Sequence, residues 1–190
     1  LAMPRILIVD DEDNILKSLR RLLAMTPCTA GGKIYPLIVD TCADPLQALE
    51  NAFGTPYDLV LSDFRMPGMD GVAFLKEFRE LQPNAARLIL SGYADLNGLI
   101  AAINEAGILR FIAKPWNDYE LVTTIAQALA LQELQNETQK IADEARLRQG
   151  RLSPEDFERQ RLEALEPGIT RVHWGPDGSV MLDPDALNKD

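Results

Sequence analysis

The chain has 190 residues, 46% of them hydrophobic, which suits one domain of ordinary size with an appendage. Its formal net charge is −10 and evenly spread: residues 1–130 carry 11 basic and 16 acidic side chains, residues 131–190 carry 8 and 13. Neither part is a basic arm, so no direct contact with nucleic acid or anionic lipid is expected, and the apolar runs are too short for a membrane span.

The run "RILIVD" at 5–10 reads as a first strand ending in acid. No signal-peptide pattern precedes it, and Cys28 and Cys42 lack CxxC spacing, so a cytoplasmic chain with reduced thiols is expected. Ile15, Leu16, Leu19, Leu22 and Leu23 share one helical face, with Asp13 or Asn14 as cap. The stretch from Thr26 to Pro36 is rich in breakers and reads as a long loop. "LIVDTC" (37–42) is a second strand, and Asp44-Pro45 opens a helix that Gly54 ends. "YDLVLSD" (57–63) is a third strand. A Pro-Gly turn follows, in which Gly68 and Gly71 supply turn geometry and Met66 and Met69 fill gaps, and then an amphipathic helix. "ARLILSG" (86–92) is the fourth strand, followed by a helix from Asp95 to Gly107. "LRFIAK" (109–114) is the fifth strand, and Asn117 with Glu120 has the spacing of a helix start.

Strand and helix alternate five times, and the strands are near-continuous apolar runs. That predicts an α/β fold, a five-stranded doubly wound parallel sheet with helices on both faces. In such sheets the functional crevice lies outside the carboxyl ends of the strands. Four segments deliver polar residues there: Asp10 and Asp11 after strand one, Asp63 at the end of strand three, Ser91 at strand four and Lys114 at strand five. Clustered carboxylates repel one another and raise each other's pKa, and a hard divalent cation removes that penalty. A lysine and a serine hydroxyl beside them suit phosphoryl oxygens. One carboxylate can then act as a nucleophile in aspartyl-phosphate chemistry.

"ILIVDDE", "LVLSDFRMPGMDG", "LILSGYAD" and "FIAKPW" resemble, in order, the signature stretches of bacterial response-regulator receiver domains, and the likeness covers roughly residues 4–130. It implies a (βα)5 flavodoxin-like receiver fold and phosphorelay signalling. It implies Asp63 as phosphoacceptor, and Asp10, Asp11, Asp63 and the backbone carbonyl of Arg65 as holders of Mg²⁺ or Mn²⁺. Ser91 and Lys114 become phosphoryl-binding switch residues, Phe111 an aromatic rotamer switch, and Lys114-Pro115 a cis peptide. By its position in a strand alone, Phe111 reads as core. The implied donor is a sensor histidine kinase or phosphotransfer protein, since the lone His173 cannot support an internal relay. "SGYAD" and "RFIAKPW" resemble the subgroup in front of cyclic-di-GMP phosphodiesterases or hydrogenase-type transcription regulators.

The expected organisation is a receiver at 1–130, a helical extension at 131–150 and a helix-plus-hairpin tail at 151–190. Leu131, Leu134, Thr138, Ile141 and Ala145 follow a 3-4 spacing that suits a short coiled-coil seam. A homodimer through it, or through the face of the fourth and fifth receiver helices, is one expectation. Ser153-Pro154 opens a further helix, and "EPGITRVHWGPDGSVMLD" reads as a hairpin. The chain is expected to be no enzyme beyond assisting its own phosphorylation and dephosphorylation. Three other readings compete: a docking adaptor that ignores phosphorylation, a flavin-binding protein of similar topology, and a haloacid-dehalogenase-type phosphatase. The phosphatase wants a second acid two residues after its nucleophile, where this chain has Arg65.

Overall fold

The computed structural model describes residues 3–92 and 105–170. Tyr93, Asp95, His173 and the predicted C-terminal hairpin turn lie outside the described residues. The described elements are β1 (Arg5–Val9), α1 (Asp13–Met25), β2 (Cys28–Ala30), β3 (Lys33–Tyr35), β4 (Ile38–Cys42), α2 (Pro45–Ala52), β5 (Leu59–Asp63), α3 (Gly71–Leu81), β6 (Ala86–Gly92), β7 (Arg110–Lys114), α4 (Asp118–Arg148) and α5 (Pro154–Leu165).

Five strands form one parallel sheet in the order β4-β1-β5-β6-β7, the flavodoxin-like arrangement. The chain leaves β1 toward one edge and returns to the other side, so the sheet's switch point falls between β1 and β5. Alternate residues feed two cores. Ile6, Ile8, Leu59, Leu61, Leu88 and Leu90 pack with α1 and α4, whereas Leu7, Val9, Val60 and Ile89 pack with α2 and α3. Burial on both faces explains why the central strands read as unbroken apolar runs.

Caps set the helix starts. Asp44 accepts from the Leu46 N–H, Asp70 from Ala73, Asn117 from Glu120 and Ser153 from Asp156. The first helix departs from its expected cap. Its N-cap is Glu12, in an extended conformation with no side-chain cap, and Asp13 already lies in the first turn. An acid there still favours the positive helix end.

The predicted loop at 26–36 contains a hairpin instead. β2 and β3 pair antiparallel around Gly31-Gly32, whose φ angles of 57° and 79° fit a two-residue turn open to glycine. Three residues per strand would not stand alone in water. The hairpin forms because Cys28 and Tyr35 bury against α4. Lys33 Nζ donates to both carboxylate oxygens of Glu133 at 2.5 and 2.6 Å, and Tyr35 adds a bond at 3.2 Å.

Helix α4 runs without a break through Ala130 to Arg148. Leu131, Leu134, Thr138, Ile141 and Ala145, the predicted seam, are all exposed on it. Helix α5 follows, and the chain then meets the amino end of the sheet, where the Gly54 N–H donates to the Pro167 carbonyl at 2.7 Å. The Glu163 carboxylate organises that turn by accepting from the Gly168 and Thr170 N–H groups and the Thr170 hydroxyl.

Candidate functional site

The acids predicted at the strand ends meet at the switch point. Asp10, just past β1, is fully buried, and Asp63, the last residue of β5, is 7% exposed. Asp11 stands beside them and is exposed, and one carboxylate oxygen from each of the three lies within 4.8 Å of the others. Lys114 reaches in from β7, beyond the intervening β6, and its ammonium group lies 2.9 Å from Asp10 Oδ2 and 2.7 Å from Asp63 Oδ1.

Each buried acid also takes a main-chain donor two residues ahead. The Glu12 N–H donates to Asp10 Oδ1 at 2.9 Å, and the Arg65 N–H to Asp63 Oδ2 at 3.2 Å. These are two copies of one local device, an acid that ends a strand and folds the next peptide onto its own carboxylate. The donors at Glu12 and Arg65 are main-chain N–H groups, to which no side-chain pattern in the sequence points. An acid directly followed by a turn was the available signal.

The electrostatics leave the cluster short of positive charge. Burial pushes the Asp10 carboxyl above its ordinary value, against the opposing pull of the Glu12 N–H and Lys114. Burial also pulls Lys114 down, but its hydrogen bonds to Asp63 and Asp10 outweigh this and set its pKa above the ordinary lysine value. Three carboxylates are thus gathered around one ammonium group, which contacts Asp10 and Asp63 directly. An all-oxygen donor set of carboxylates, with Asp11 open to solvent, fits a hard divalent cation such as Mg²⁺.

Ser91, buried at the end of β6, donates its hydroxyl to the Gly92 carbonyl at 3.1 Å. Phe111 is 45% exposed rather than part of the core, because β7 is an edge strand and Ile112 is its inward residue. The Lys114-Pro115 peptide is cis. The turn after Asp63 is shaped by Gly68, with φ +80°, and Met66 fills the core beneath it.

A family model described as response regulator receiver domain matches residues 6–126. The chain belongs to this family. As a receiver it resembles the hydrogenase transcriptional regulatory protein HoxA of Cupriavidus necator, at 38% identity over 74% of this chain and 27% of the relative. It is also similar to the transcriptional regulatory protein FixJ of Bradyrhizobium diazoefficiens, 31% identical over 87% of this chain and 75% of that protein. The chain spans about a quarter of the length of the HoxA relatives it matches, 27% and 26%. Among solved structures, the signal receiver domain of an HD-domain-containing protein from Pseudomonas fluorescens Pf-5 superposes with a TM-score of 0.62. It is 36% identical and covers 72% of this chain and 94% of that one. Receivers of response regulators are two-component signalling domains. Among the described residues no helix is long and apolar enough to cross a membrane.

Proposed function

We propose that Asp63 accepts a phosphoryl group from a phosphohistidine on a sensor kinase or phosphotransfer protein, and that the modified receiver changes conformation to control an output. The observation that carries this reading is the shared Lys114 between Asp10 and Asp63 inside a three-carboxylate cluster. Asp10, Asp11, Asp63 and the Arg65 carbonyl would hold Mg²⁺ or Mn²⁺. When bound, the cation neutralises carboxylate and phosphoryl oxygen charge. A carboxylate oxygen of Asp63 attacks phosphorus in line. The O–P bond forms, the P–N bond breaks, and its electron pair stays on the imidazole nitrogen. The Arg65 N–H holds the Asp63 carboxylate in place, and Lys114, already at hydrogen-bond distance, follows the new charge onto the phosphoryl group. Ser91 then exchanges the Gly92 carbonyl for a phosphoryl oxygen, and Phe111 turns inward from its exposed position. This is a two-state element biased by local charge. The exposed seam on α4, Leu131 through Ala145, is the surface through which two copies would pair.

Acetyl phosphate with Mg²⁺ replaces the unidentified donor in the test. The expected result is a phosphoryl mass gain on the native chain that Asp63→Asn abolishes. A native chain that gains nothing overturns the assignment and favours a docking adaptor that ignores phosphorylation, and a gain that survives Asp63→Asn overturns it by placing the acceptor elsewhere.

A further inference from the structure

Gly71 opens helix α3 against the very end of β5. Its N–H donates to the Phe64 carbonyl at 2.8 Å, while the Phe64 N–H is held by the Leu90 carbonyl at 2.8 Å. A methyl group built on Gly71 would collide with the Asp63 carbonyl oxygen and would lie 2.9 Å from its carbonyl carbon and 3.1 Å from the Phe64 Cα. All three are main-chain atoms, so no rotamer change relieves the collision. The contrast with Gly68 is instructive. Gly68 is glycine for its left-handed backbone and has nothing within 4 Å of a built Cβ, whereas Gly71 needs no unusual φ and is glycine for space.

From this close approach we infer that Gly71 is a positioning residue for the acceptor site. The loop 64–70 leaves β5 at Asp63 and is closed by the Gly71–Phe64 bond, so both of its ends grip the same strand terminus. A side chain at 71 must push either the end of β5 down its strand or the first turn of α3 outward. The first displaces the main chain of Asp63 itself. The second drags the loop and loosens the Arg65 N–H from Asp63 Oδ2, along with the Arg65 carbonyl carried on the same residue. The missing side chain therefore sets where the nucleophile and the loop ligand stand relative to each other. This rests on the acceptor role proposed for Asp63.

The test compares Gly71→Ala with Gly54→Ala, which lies at the opposite end of the sheet, has φ +74° and meets nothing within 4 Å. Gly54→Ala strains the backbone but leaves the site alone. Folded Gly71→Ala is expected to bind Mg²⁺ about tenfold more weakly by titration. It is also expected to take up label from acetyl phosphate more slowly at saturating Mg²⁺. Gly54→Ala should match the native chain in both even where its Tm falls. Folded Gly71→Ala with native Mg²⁺ affinity and labelling rate overturns the inference. Should Gly71→Ala not fold, the native chain answers instead: Mg²⁺ should slow exchange of the Gly71 amide, and an unchanged rate overturns the inference. A native chain that takes no label counts against the Asp63 reading itself, which keeps the two failures distinct.

Discussion

At the carboxyl ends of the strands, the Lys114 side chain is 22% exposed and the side chains of its partners Asp10 and Asp63 are 0% and 9% exposed. At the amino ends, where the hairpin clasps α4, Lys33 and Glu133 meet with 37% and 39% of their side chains in solvent. Both are lysine–carboxylate contacts, yet they do different work. The first places more acid than base in a largely buried site, where unmatched charge is costly. The second is close to water, screened by salt, and orients a helix that the Cys28 and Tyr35 side chains already hold by burial. Closeness of contact alone therefore says little about function, and desolvation distinguishes the two ends.

The sharpest way to break that comparison is Lys114→Met. Removing the ammonium leaves Asp10 and Asp63 facing each other without compensation and costs about 3 kcal/mol near neutral pH in the absence of Mg²⁺. The sign with pH follows from Asp10, whose folded pKa already lies above its ordinary value of 3.8 because of burial. Loss of Lys114 raises it further. A group with a raised folded pKa contributes stability below its unfolded pKa and loses it as pH rises through the folded one. The deficit of Lys114→Met should therefore shrink on acidification, read as Tm against pH in chelator. A deficit that does not change with pH would mean the carboxylates are not the cause.

Asp10→Asn works in the opposite direction. The amide oxygen keeps the bond from the Glu12 N–H and gives up the one from Lys114, which falls on the other oxygen and which Lys114 retains with Asp63, and the buried charge is gone. Without metal the variant should melt roughly 3 °C higher, corresponding to about 1 kcal/mol. The advantage should fade as pH falls toward the raised Asp10 value, since protonation gives the native chain the same relief. With Mg²⁺ added, the variant should gain less Tm than the native chain. An Asp10→Asn variant less stable than native in chelator would show that the site end is not strained by charge.

What could be read in advance divides along the same line. The acids, Ser91 and Lys114 were legible because an apolar run that stops at a polar residue marks both a strand end and a crevice. Five parallel strands bring such ends together whatever the loops do. Three of the four side-chain caps, Asp44, Asn117 and Ser153, were legible from local spacing, whereas Asp70 lies inside the Pro-Gly turn and does not stand out as a cap. The hairpin was not. Gly31-Gly32 was visible, but three-residue strands carry too little alternation to announce themselves, and their partner α4 lies about 90 residues further on, as the 94-residue separation of Cys28 and Val122 records. Phe111 was misread as core because burial in an edge strand depends on which residue faces the helices. The close approach at Gly71 also escaped notice, since a glycine required for space looks in sequence like one required for a turn.

Glu133→Gln carries the smallest expected effect and tests the amino end. The Lys33 hydrogen bond holds the Glu133 carboxyl below its ordinary 4.5, with burial opposing. A depressed folded pKa gives stability that is present above the ordinary value and lost as pH falls through the lowered one, so the clasp should loosen only in acid. Because both groups face solvent, the global Tm should move less than in Asp10→Asn, and less still at high salt. Cys28 provides the local readout. It is buried against α4, and burial pushes its thiol up to about 11, so it should react slowly while the hairpin is seated. Glu133→Gln should speed its alkylation at low salt, and added salt should bring the native chain toward the variant. Acetyl phosphate labelling of Asp63 should stay at the native rate, because neither partner of the clasp touches the acid cluster. If labelling falls together with the clasp, the two ends of the sheet act as one element, and α4 carries the coupling between them.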